Sequence, residues 1–328
     1  CQFVDELRAS TGWPVAEQQL SEEVLLAYEI TALQSQEQPH LPAMEKSAIA
    51  KLLSGFQLSP SSWHRYLDCP LRFFYEVVLQ VPQIQRPAAS YGNALHNALQ
   101  RYFNQMLGQT ERSFPEKALL IEFFADEMEK ARSFFSKQEY QAKLAQGKEN
   151  LSKYYDQFNQ SWTTQCRTEL RLQQIEVEGV PMKGVIDRID FLNEQDVAII
   201  DYKSGSHNNS KLRPPTSSKP KGGNYWRQLA FYKLLWESRS GEQRNVKQAA
   251  ISYLDLNKRG ELTIESIDLS VGELRKAKQM IRESYDHIMA QHFYTGCGEP
   301  TCEWCNFVKE DMLPPAHTTA EIEELDDN

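Results

Sequence analysis

Apolar and polar residues recur along the chain with two different periods, and the change from one to the other predicts the order of the elements. Between residues 63 and 162 apolar side chains recur every three or four positions, the spacing that places them on one face of a helix. The first helix follows Ser59-Pro60-Ser61-Ser62, where hydroxyl groups and an early proline are typical of a helix start. We predict helices over about 63–78, 90–107, 115–137 and 139–162.

The second half of the chain changes to shorter apolar stretches that are separated by turn-forming residues, as strands are. We predict strands over 168–177, 180–192 and 197–203, a helix over about 225–237, strands over 248–254 and 262–268, and a last helix over about 271–291. This order predicts an α/β fold, in which a mixed sheet of about five strands is flanked by helices and preceded by a helical N-terminal portion.

The two ends of the chain lack this pattern and set the predicted domain boundaries. Residues 1–55 are polar and rich in Gln and Glu, so we interpret them as the end of a preceding, helicase-like domain and a linker. The compact domain is predicted over 56–308, and the acidic residues 309–328 are interpreted as a solvated tail. No apolar run approaches the roughly 18 residues that a membrane-spanning helix needs. Because no secretory leader is visible either, we expect a cytoplasmic protein.

The net charge of −9 argues against a nucleic-acid partner, but the charge is unevenly distributed. Residues 202–236 contain seven Lys and Arg residues and no Asp or Glu. Within this stretch, 204–223 is predicted to be a long loop, which is either functional or a plain disordered insertion. Its Lys211, Arg213 and Lys221, together with Trp226, could guide a nucleic-acid strand by charge and stacking.

Two aspartates and a lysine stand on neighbouring predicted strands: Asp187 on one, Asp201 and Lys203 on the next. The register of the hairpin decides which side chains share a face, because a shift by one residue turns every side chain over. A two-residue turn would leave the aspartates on opposite faces, whereas a five-residue loop over 192–196 pairs Asp187 with Asp201. We predict the five-residue loop because it also matches apolar pairs such as Ile189 with Ile199.

In that register the two carboxylates lie about 5 Å apart, which is unfavourable unless a cation or a proton neutralises one of them. Oxygen ligands of this kind are typical of Mg²⁺ or Mn²⁺, which polarise a phosphate and lower the pKa of a bound water. Lys203 would position the attacking hydroxide and offset the charge that develops on the phosphate. A surface ion cluster at the end of a hairpin is the alternative, although the apolar run before Asp201 indicates a buried strand.

These residues resemble the motifs of the PD-(D/E)XK nuclease superfamily, in the RecB/AddB-like branch that is found at the C-terminus of UvrD-type helicases and helicase-like partners. Gly184-Val-Ile-Asp187-Arg-Ile-Asp190 is similar to the second motif of that branch, and Ile200-Asp201-Tyr-Lys203-Ser-Gly205 is similar to the third. The resemblance covers about 58–308. It implies a restriction-endonuclease-like core with Asp187, Asp201 and Lys203 as catalytic residues.

The resemblance also implies a metal shell. His96, in the segment Tyr91-Gly-Asn-Ala-Leu-His96, matches the helical histidine that joins the metal ligands in this branch. The implied ligands are His96, Asp187, Asp201 and the backbone carbonyl of Tyr202. Without the resemblance, a single helical histidine is interpreted as structural.

Three further residues are implied to support the site or to bind DNA. Gln228 and Tyr232 match the Gln-x-x-x-Tyr helix of the branch, and a spacing of four residues places both on one helix face. Glu169 matches an acidic position that is frequent in the strand before Asp187. An exposed strand residue is the alternative interpretation of Glu169.

Six cysteines are unevenly distributed, and disulfides are not expected in a reducing compartment. Asp68-Cys69-Pro resembles the first cysteine segment of AddB-type iron–sulfur nucleases, and Cys297, Cys302 and Cys305 resemble the three cysteines that follow. Four thiolates can hold a [4Fe–4S] cluster, or Zn²⁺ in a tetrahedral site. The spacing of the last three cysteines departs from that of the family, so a cluster, zinc and the absence of a metal all stay open.

The implied activity is that of a Mg²⁺- or Mn²⁺-dependent deoxyribonuclease, an exonuclease rather than an endonuclease, in the recombination and repair of DNA ends. The implied partners are single-stranded DNA ends and a helicase motor, in the same chain or in a partner subunit. Two other functions stay open: a catalytically silent DNA-binding or scaffold domain of the same fold, and a protein-interaction module stabilised by metal. We expect no ATPase activity, because the sequence contains no Gly-x-x-x-x-Gly-Lys-[Ser/Thr] loop.

Overall fold

The structure is a computed structural model that describes residues 21–26, 40–41, 43–83, 85–205, 207–241, 244–257 and 259–312, with side chains up to 309. Its contacts divide the chain into two compact units, one of Leu41–Thr295 and one of Cys1–His40 with Gly296–Asn328. The interpretation of 1–55 as the end of a helicase-like domain, and of 309–328 as a tail, falls largely outside the described residues and stays a prediction.

The larger unit begins with helix α1 (Lys46–Leu52), which the sequence pattern did not predict and which buries Ile49. Helix α2 (Pro60–Asp68) has the expected cap, because the Ser59 side chain accepts a hydrogen bond from the Ser62 amide. The prediction of one helix over 63–78 is wrong. The backbone is extended at Cys69, because a following proline disfavours the helical conformation, and helix α3 (Pro70–Phe73) then continues into a π-helical turn over Phe74–Val78.

Three longer helices follow, α4 (Pro87–Leu107), α5 (Lys117–Lys130) and α6 (Lys137–Phe158). Helix α5 ends earlier than predicted, and a 3₁₀ turn at Arg132–Phe134 leads to Ser136, which caps α6. Buried aromatic and aliphatic side chains of the three helices pack together and against alternate residues of the sheet. These helices form a layer on one face of the sheet.

The sheet contains five strands in the order β1-β2-β3-β4-β5, and their bounds are Cys166–Val177, Val180–Phe191, Asp196–Lys203, Asn245–Tyr253 and Ile264–Ile267. Strands β3 and β4 are parallel, and every other neighbouring pair is antiparallel. Helix α7 (Asn224–Glu237) connects the parallel pair, and α8 (Val271–Met289) follows β5. Both pack with α2 against the second face of the sheet. The mixed sheet of five strands between helices confirms the predicted fold class.

The hairpin of β2 and β3 has the predicted register. Phe191 pairs with Val197 and Ile189 with Ile199, and the last pair of the ladder is Arg188 with Ile200. The loop is one residue shorter than expected, since β3 already begins at Asp196, whose carbonyl accepts a hydrogen bond from the Leu192 amide at 3.0 Å. Asp187 and Asp201 are the next residues beyond the ladder.

The smaller unit contains a helical turn at 22–26 and helix α9 (Glu303–Met312), neither of which was predicted. Among the described helices of both units, none combines the length and the apolar character that crossing a bilayer requires.

Candidate active site

Asp187 and Asp201 lie side by side where β2 and β3 leave their ladder. The apolar run before Asp201 draws this carboxylate into the protein, where its side chain is 1% exposed, against 14% for Asp187. Oδ2 of Asp187 accepts a hydrogen bond from the Tyr202 amide at 2.8 Å, so the neighbouring strand orients it. Burial, together with repulsion from the Asp201 carboxylate, raises the pKa of Asp187 well above its usual range.

Lys203 forms the ion pair of the site. Its Nζ lies 2.6 Å from Oδ2 of Asp201, two residues earlier on the same face of β3. Burial lowers the pKa of Lys203, but attraction to Asp201 outweighs this effect, and the pKa is raised overall. Lys203 therefore carries a positive charge at neutral pH.

His96 reaches the site from helix α4, and its Nδ1 lies 3.3 Å from Oδ2 of Asp187. Burial lowers the pKa of His96 to about 4, so the ring is neutral at pH 7 and one ring nitrogen remains able to bind a cation. The close approach of α4 depends on Gly92, because a Cβ atom there would lie 2.7 Å from Oγ of Ser204. A glycine one turn before His96 thus brings the histidine to the carboxylates.

Gln228 and Tyr232 project from α7 toward Asp201. Nε2 of Gln228 donates to Oδ1 of Asp201 at 2.8 Å and to the hydroxyl oxygen of Tyr232 at 3.1 Å. Burial, followed by the negative charge of Asp201, raises the pKa of Tyr232 well above its usual range, so the phenol keeps its proton at neutral pH. Because Gln228 and Tyr232 are four residues apart on α7, the side-chain amide of Gln228 can contact both Asp201 and Tyr232. Tyr232 thereby orients the amide that holds Asp201.

Glu169 lies on β1 between two residues that pair across to β2, Thr168 with Arg188 and Leu170 with Ile186. This register places Glu169 opposite Asp187, on the carboxylate face. Its φ of 48° is unusual for a residue other than glycine. Burial raises the pKa of Glu169.

The donor groups at this site fit a hard divalent cation. Two carboxylates are ligands that Mg²⁺ and Mn²⁺ prefer, and the neutral imidazole of His96 adds one nitrogen donor. Oδ2 of Asp201 is buried and, apart from its ion pair with Lys203, has no hydrogen-bond partner among the described residues. A cation would also relieve the repulsion between the two carboxylates.

A comparison of the sequence with protein families gives the same answer as the geometry. The profile of the PD-(D/E)XK nuclease superfamily matches residues 57–309, which is most of the chain. The chain belongs to the PD-(D/E)XK nuclease superfamily. No curated protein matches the chain.

Two solved structures are similar to this PD-(D/E)XK protein. The crystal structure of the "Putative exonuclease" from Eubacterium rectale is 13% identical, with a TM-score of 0.49, and the match covers 89% of this chain and 94% of that one. The crystal structure of SSO0001 is 16% identical, with a TM-score of 0.35, and the match covers 92% of this chain and 98% of that one.

The other face of β2 and β3 carries a second group of charged side chains. One of them, Asp190, belongs to the sequence motif, and the motif alone did not indicate that it lies on this face. Arg188 donates to the hydroxyl of Tyr202 at 2.7 Å and pairs with Asp190 at 3.0 Å, and its guanidinium lies 4.7 Å from the centre of the Phe103 ring. Asp190 therefore points away from the candidate active site of this PD-(D/E)XK protein, although it is the last residue of the motif that contains Asp187. The buried network instead fixes Tyr202, whose amide holds Asp187.

The basic residues of the long loop lie apart from the carboxylates. Lys211, Arg213 and Lys221 line a cleft of about 710 Å³ that follows the loop. The described part of the loop contains a 3₁₀ turn at Asn209–Leu212, and Leu212 is buried, which argues against a plain disordered insertion. The predicted stacking role of Trp226 is wrong, because its side chain lies in the hydrophobic core and is 1% exposed.

Three residues near the carboxylates were missed by the sequence analysis. Arg171, Lys183 and Tyr225 line a cleft of about 580 Å³ that also reaches Lys203. No motif marks the two cations. Tyr225 is adjacent to Trp226, and only the phase of α7 against the sheet decides which of the two aromatic side chains faces the cleft.

The five described cysteines of this PD-(D/E)XK protein form no disulfide. In the smaller unit the sulfur atoms of Cys297, Cys302 and Cys305 lie within 4.8 Å of one another, and those of Cys297 and Cys305 are 3.7 Å apart. In the larger unit Cys69 is buried directly after α2. Three thiols this close together are a donor set suited to a soft metal.

Proposed function

We propose that the chain is a metal-dependent deoxyribonuclease with Asp187, Asp201 and Lys203 as its catalytic residues. The observation that carries the proposal is their arrangement: Asp187 is oriented by a backbone amide at 2.8 Å, and the buried Asp201 is paired with Lys203 at 2.6 Å. In a member of a nuclease superfamily, this arrangement supports hydrolysis of phosphodiester bonds.

The metal ligands in this proposal are Asp187, Asp201, His96 and the backbone carbonyl of Tyr202. When bound, Mg²⁺ or Mn²⁺ would polarise the scissile phosphate and lower the pKa of a coordinated water. His96, which is neutral at pH 7, contacts Asp187 and keeps it from turning away. Gln228 holds the other carboxylate in one orientation through Oδ1 of Asp201.

Lys203 would act on the substrate directly. Its ammonium donates to a non-bridging oxygen of the scissile phosphate and offsets the negative charge that grows there in the transition state. The same group orients the attacking water. The charge on Lys203 persists at neutral pH because the adjacent Asp201 raises the pKa of the lysine.

The finer assignments rest on the sequence resemblance to the RecB/AddB-like branch. We propose an exonuclease in the cytoplasm that degrades single-stranded DNA ends during recombination and repair. A helicase motor, in the same chain or in a partner subunit, would deliver these ends. The contacts of His96 with Asp187 and of Gln228 with Asp201 and Tyr232 support the branch. Both sequence segments that resemble the branch, the one with His96 and the one with Gln228 and Tyr232, lie at the carboxylates.

The cysteines are proposed to hold a [4Fe–4S] cluster through Cys69, Cys297, Cys302 and Cys305, with Zn²⁺ as the alternative. The closeness of the last three sulfur atoms supports a metal of either kind. An anaerobic preparation that is brown, with absorbance near about 400 nm, would support the cluster. A colourless preparation that contains zinc would overturn it.

A nuclease assay with a matched pair of variants tests the main proposal. The Asp201→Asn variant should lose at least about 100-fold in cleavage of DNA with Mg²⁺ or Mn²⁺, because a metal ligand and the partner of Lys203 lose their charge. The control is Asp156→Asn, which removes the same charge from an exposed surface pair with Lys117. Cleavage by Asp201→Asn at the rate of the control, or no cleavage by the wild type, would contradict the proposal. The second result would favour a catalytically silent domain.

A further inference from the structure

The cleft of about 580 Å³ beside the candidate active site is lined with cationic side chains. It shares Lys203, Gln228 and Tyr232 with the site. Its basic side chains are His64, Arg171, Lys183, Lys203 and Arg227, and no Asp or Glu is among the described residues that line it. A concave surface with one sign of charge concentrates ligands of the opposite sign.

Arg171 and Lys183 line the cleft from the hairpin of β1 and β2, on the strand segments that lead to Glu169 and Asp187. Side chains alternate along a strand, so Lys183 and Val185 share one face of β2, and Arg171 pairs with Val185 from β1. With about 3.3 Å per residue, Arg171 lies about 7 Å and Lys183 about 13 Å along the strand from Asp187. Both side chains are exposed, and neither forms an ion pair with a carboxylate in the part of the chain that the structure describes.

Tyr225 provides an aromatic surface in the same cleft. Its half-buried ring stands at the start of α7, with Nζ of Lys203 5.5 Å and Nζ of Lys211 4.9 Å from the ring centre. Lys203 belongs to the active site and Lys211 to the loop, so the ring of Tyr225 lies between these two regions. An accessible ring among cations is the usual platform on which an unpaired base stacks while its phosphates are neutralised.

The second cleft, of about 710 Å³, continues the first along the loop. The two clefts share His64, Asn224 and Arg227. Arg227 fixes the loop, because its guanidinium donates to the carbonyls of Lys221 at 3.1 Å and Gly222 at 3.0 Å and lies 2.9 Å from Nδ1 of His64. Lys211, Arg213, Lys219 and Lys221 line this second part.

We propose that the two clefts form the binding path of one unpaired DNA strand. Arg171 and Lys183 contact phosphates within a few nucleotides of the scissile bond, Tyr225 stacks a base, and the loop lysines hold the continuation of the strand. The proposal rests on the proposed nuclease function and adds the residues that select the substrate. A single strand is favoured over a duplex, because stacking on Tyr225 needs a base whose face is free.

Binding of a fluorescent single-stranded oligodeoxynucleotide, followed by anisotropy in EDTA so that no cleavage occurs, tests the path. The double variant Arg171→Gln/Lys183→Gln should bind about tenfold more weakly, and the salt dependence of log K should become shallower by about 1.4, or 0.7 for each lost phosphate contact. The control Arg275→Gln/Lys276→Gln removes the same charge from exposed positions on α8, outside both clefts. The control should bind like the wild type.

Substitution of Tyr225 separates stacking from charge. Tyr225→Leu should weaken binding at least about fivefold, whereas Tyr225→Phe keeps the ring and should bind like the wild type. Circular dichroism and thermal unfolding of each variant show whether it is folded. Equal losses for Leu and Phe, or none for either, would overturn the stacking role.

Failure of the path and failure of the nuclease function give different results. If the chain cleaves DNA but Arg171→Gln/Lys183→Gln binds the single strand like the wild type, the path is wrong and the nuclease proposal survives. If the double variant loses binding and the wild type does not cleave, the path survives and the nuclease proposal fails. No binding of the strand by the wild type, or tighter binding of a duplex of the same length, would overturn the path.

Discussion

The two faces of β2 and β3 both carry buried or half-buried charges, but the charges are in opposite circumstances. On the face toward α4, α5 and α6, Arg188 is paired with Asp190 and hydrogen-bonded to Tyr202, so one cation meets one anion. On the other face two aspartates lie beside one ammonium: Lys203 pairs with Asp201, while Asp187 accepts a hydrogen bond from the Tyr202 amide. We call these groups the closed face and the open face.

The difference lies in the balance of charge and in access to solvent. The closed face is neutral and lies within a hydrophobic core. With both aspartates ionised, the open face has one negative charge in excess even without Glu169, and Lys203 borders a cleft of about 580 Å³. Two like charges are kept close together at a cost in stability, and a ligand that neutralises them recovers this cost. The open face is therefore suited to binding a cation and the closed face to holding the fold.

The largest expected effect separates the two faces by activity. Asp187→Asn should lower the rate of metal-dependent DNA cleavage by at least about 100-fold, because a ligand charge is lost while the hydrogen bond from the Tyr202 amide can persist. Asp190→Asn makes the same chemical change three residues later, on the closed face. This variant should keep cleavage within about tenfold of the wild type, in an assay at a temperature where both variants are folded. Equal losses would mean that both aspartates act in the reaction.

The second effect reverses the order of the two variants and concerns stability. Asp190→Asn should lower the free energy of unfolding by about 3–5 kcal/mol, because Arg188 keeps its charge in the core without the carboxylate that balances it. Denaturation in urea followed by circular dichroism measures the change. A loss below about 1 kcal/mol would show that Arg188 does not depend on Asp190.

A smaller effect of opposite sign is expected on the open face. In the absence of divalent ions at pH 7, Asp187→Asn should raise the free energy of unfolding by an amount on the order of 1 kcal/mol, because it removes a half-buried charge that Asp201 repels. Thermal unfolding in EDTA measures this gain, with Asp156→Asn as the surface control. A variant less stable than the wild type would mean that Asp187 contributes to the fold.

The smallest effect tests the link between the faces. Tyr202→Phe removes the hydroxyl that accepts from Arg188 but keeps the backbone amide that holds Asp187. Stability should fall by about 1–3 kcal/mol, because one buried donor of Arg188 loses its partner. Cleavage should fall less than about tenfold. A loss of activity as large as that of Asp187→Asn would assign the phenol itself to the reaction.

Much of this contrast could be predicted from the sequence, because strand periodicity is a local property. The matched apolar pairs of β2 and β3 predicted the register, and the register places Asp187 and Asp201 together. Asp187 and Asp190 are three residues apart, so alternation alone assigns them to opposite faces. The family resemblance predicted His96 and Gln228 as site residues. Their contacts with the carboxylates join residues that are far apart in the chain.

The remainder depends on packing between elements that are distant in the sequence. Arg171 and Lys183 become part of a cleft only because β1 pairs with β2 and α7 covers the sheet. Which of Tyr225 and Trp226 is buried depends on the phase of α7. The break in the helix at Cys69 was predictable from Pro70. The apolar pattern continues across Cys69, however, and therefore indicated a single helix.

Binding of Mn²⁺ at pH 7, measured by isothermal titration calorimetry on the wild type, Asp187→Asn and Asp190→Asn, tests the central claim most directly. The excess negative charge of the open face predicts a Mn²⁺ site in the wild type that Asp190→Asn retains and Asp187→Asn weakens at least about tenfold. Equal Mn²⁺ binding by the wild type and Asp187→Asn, or no Mn²⁺ binding by the wild type, would contradict the account.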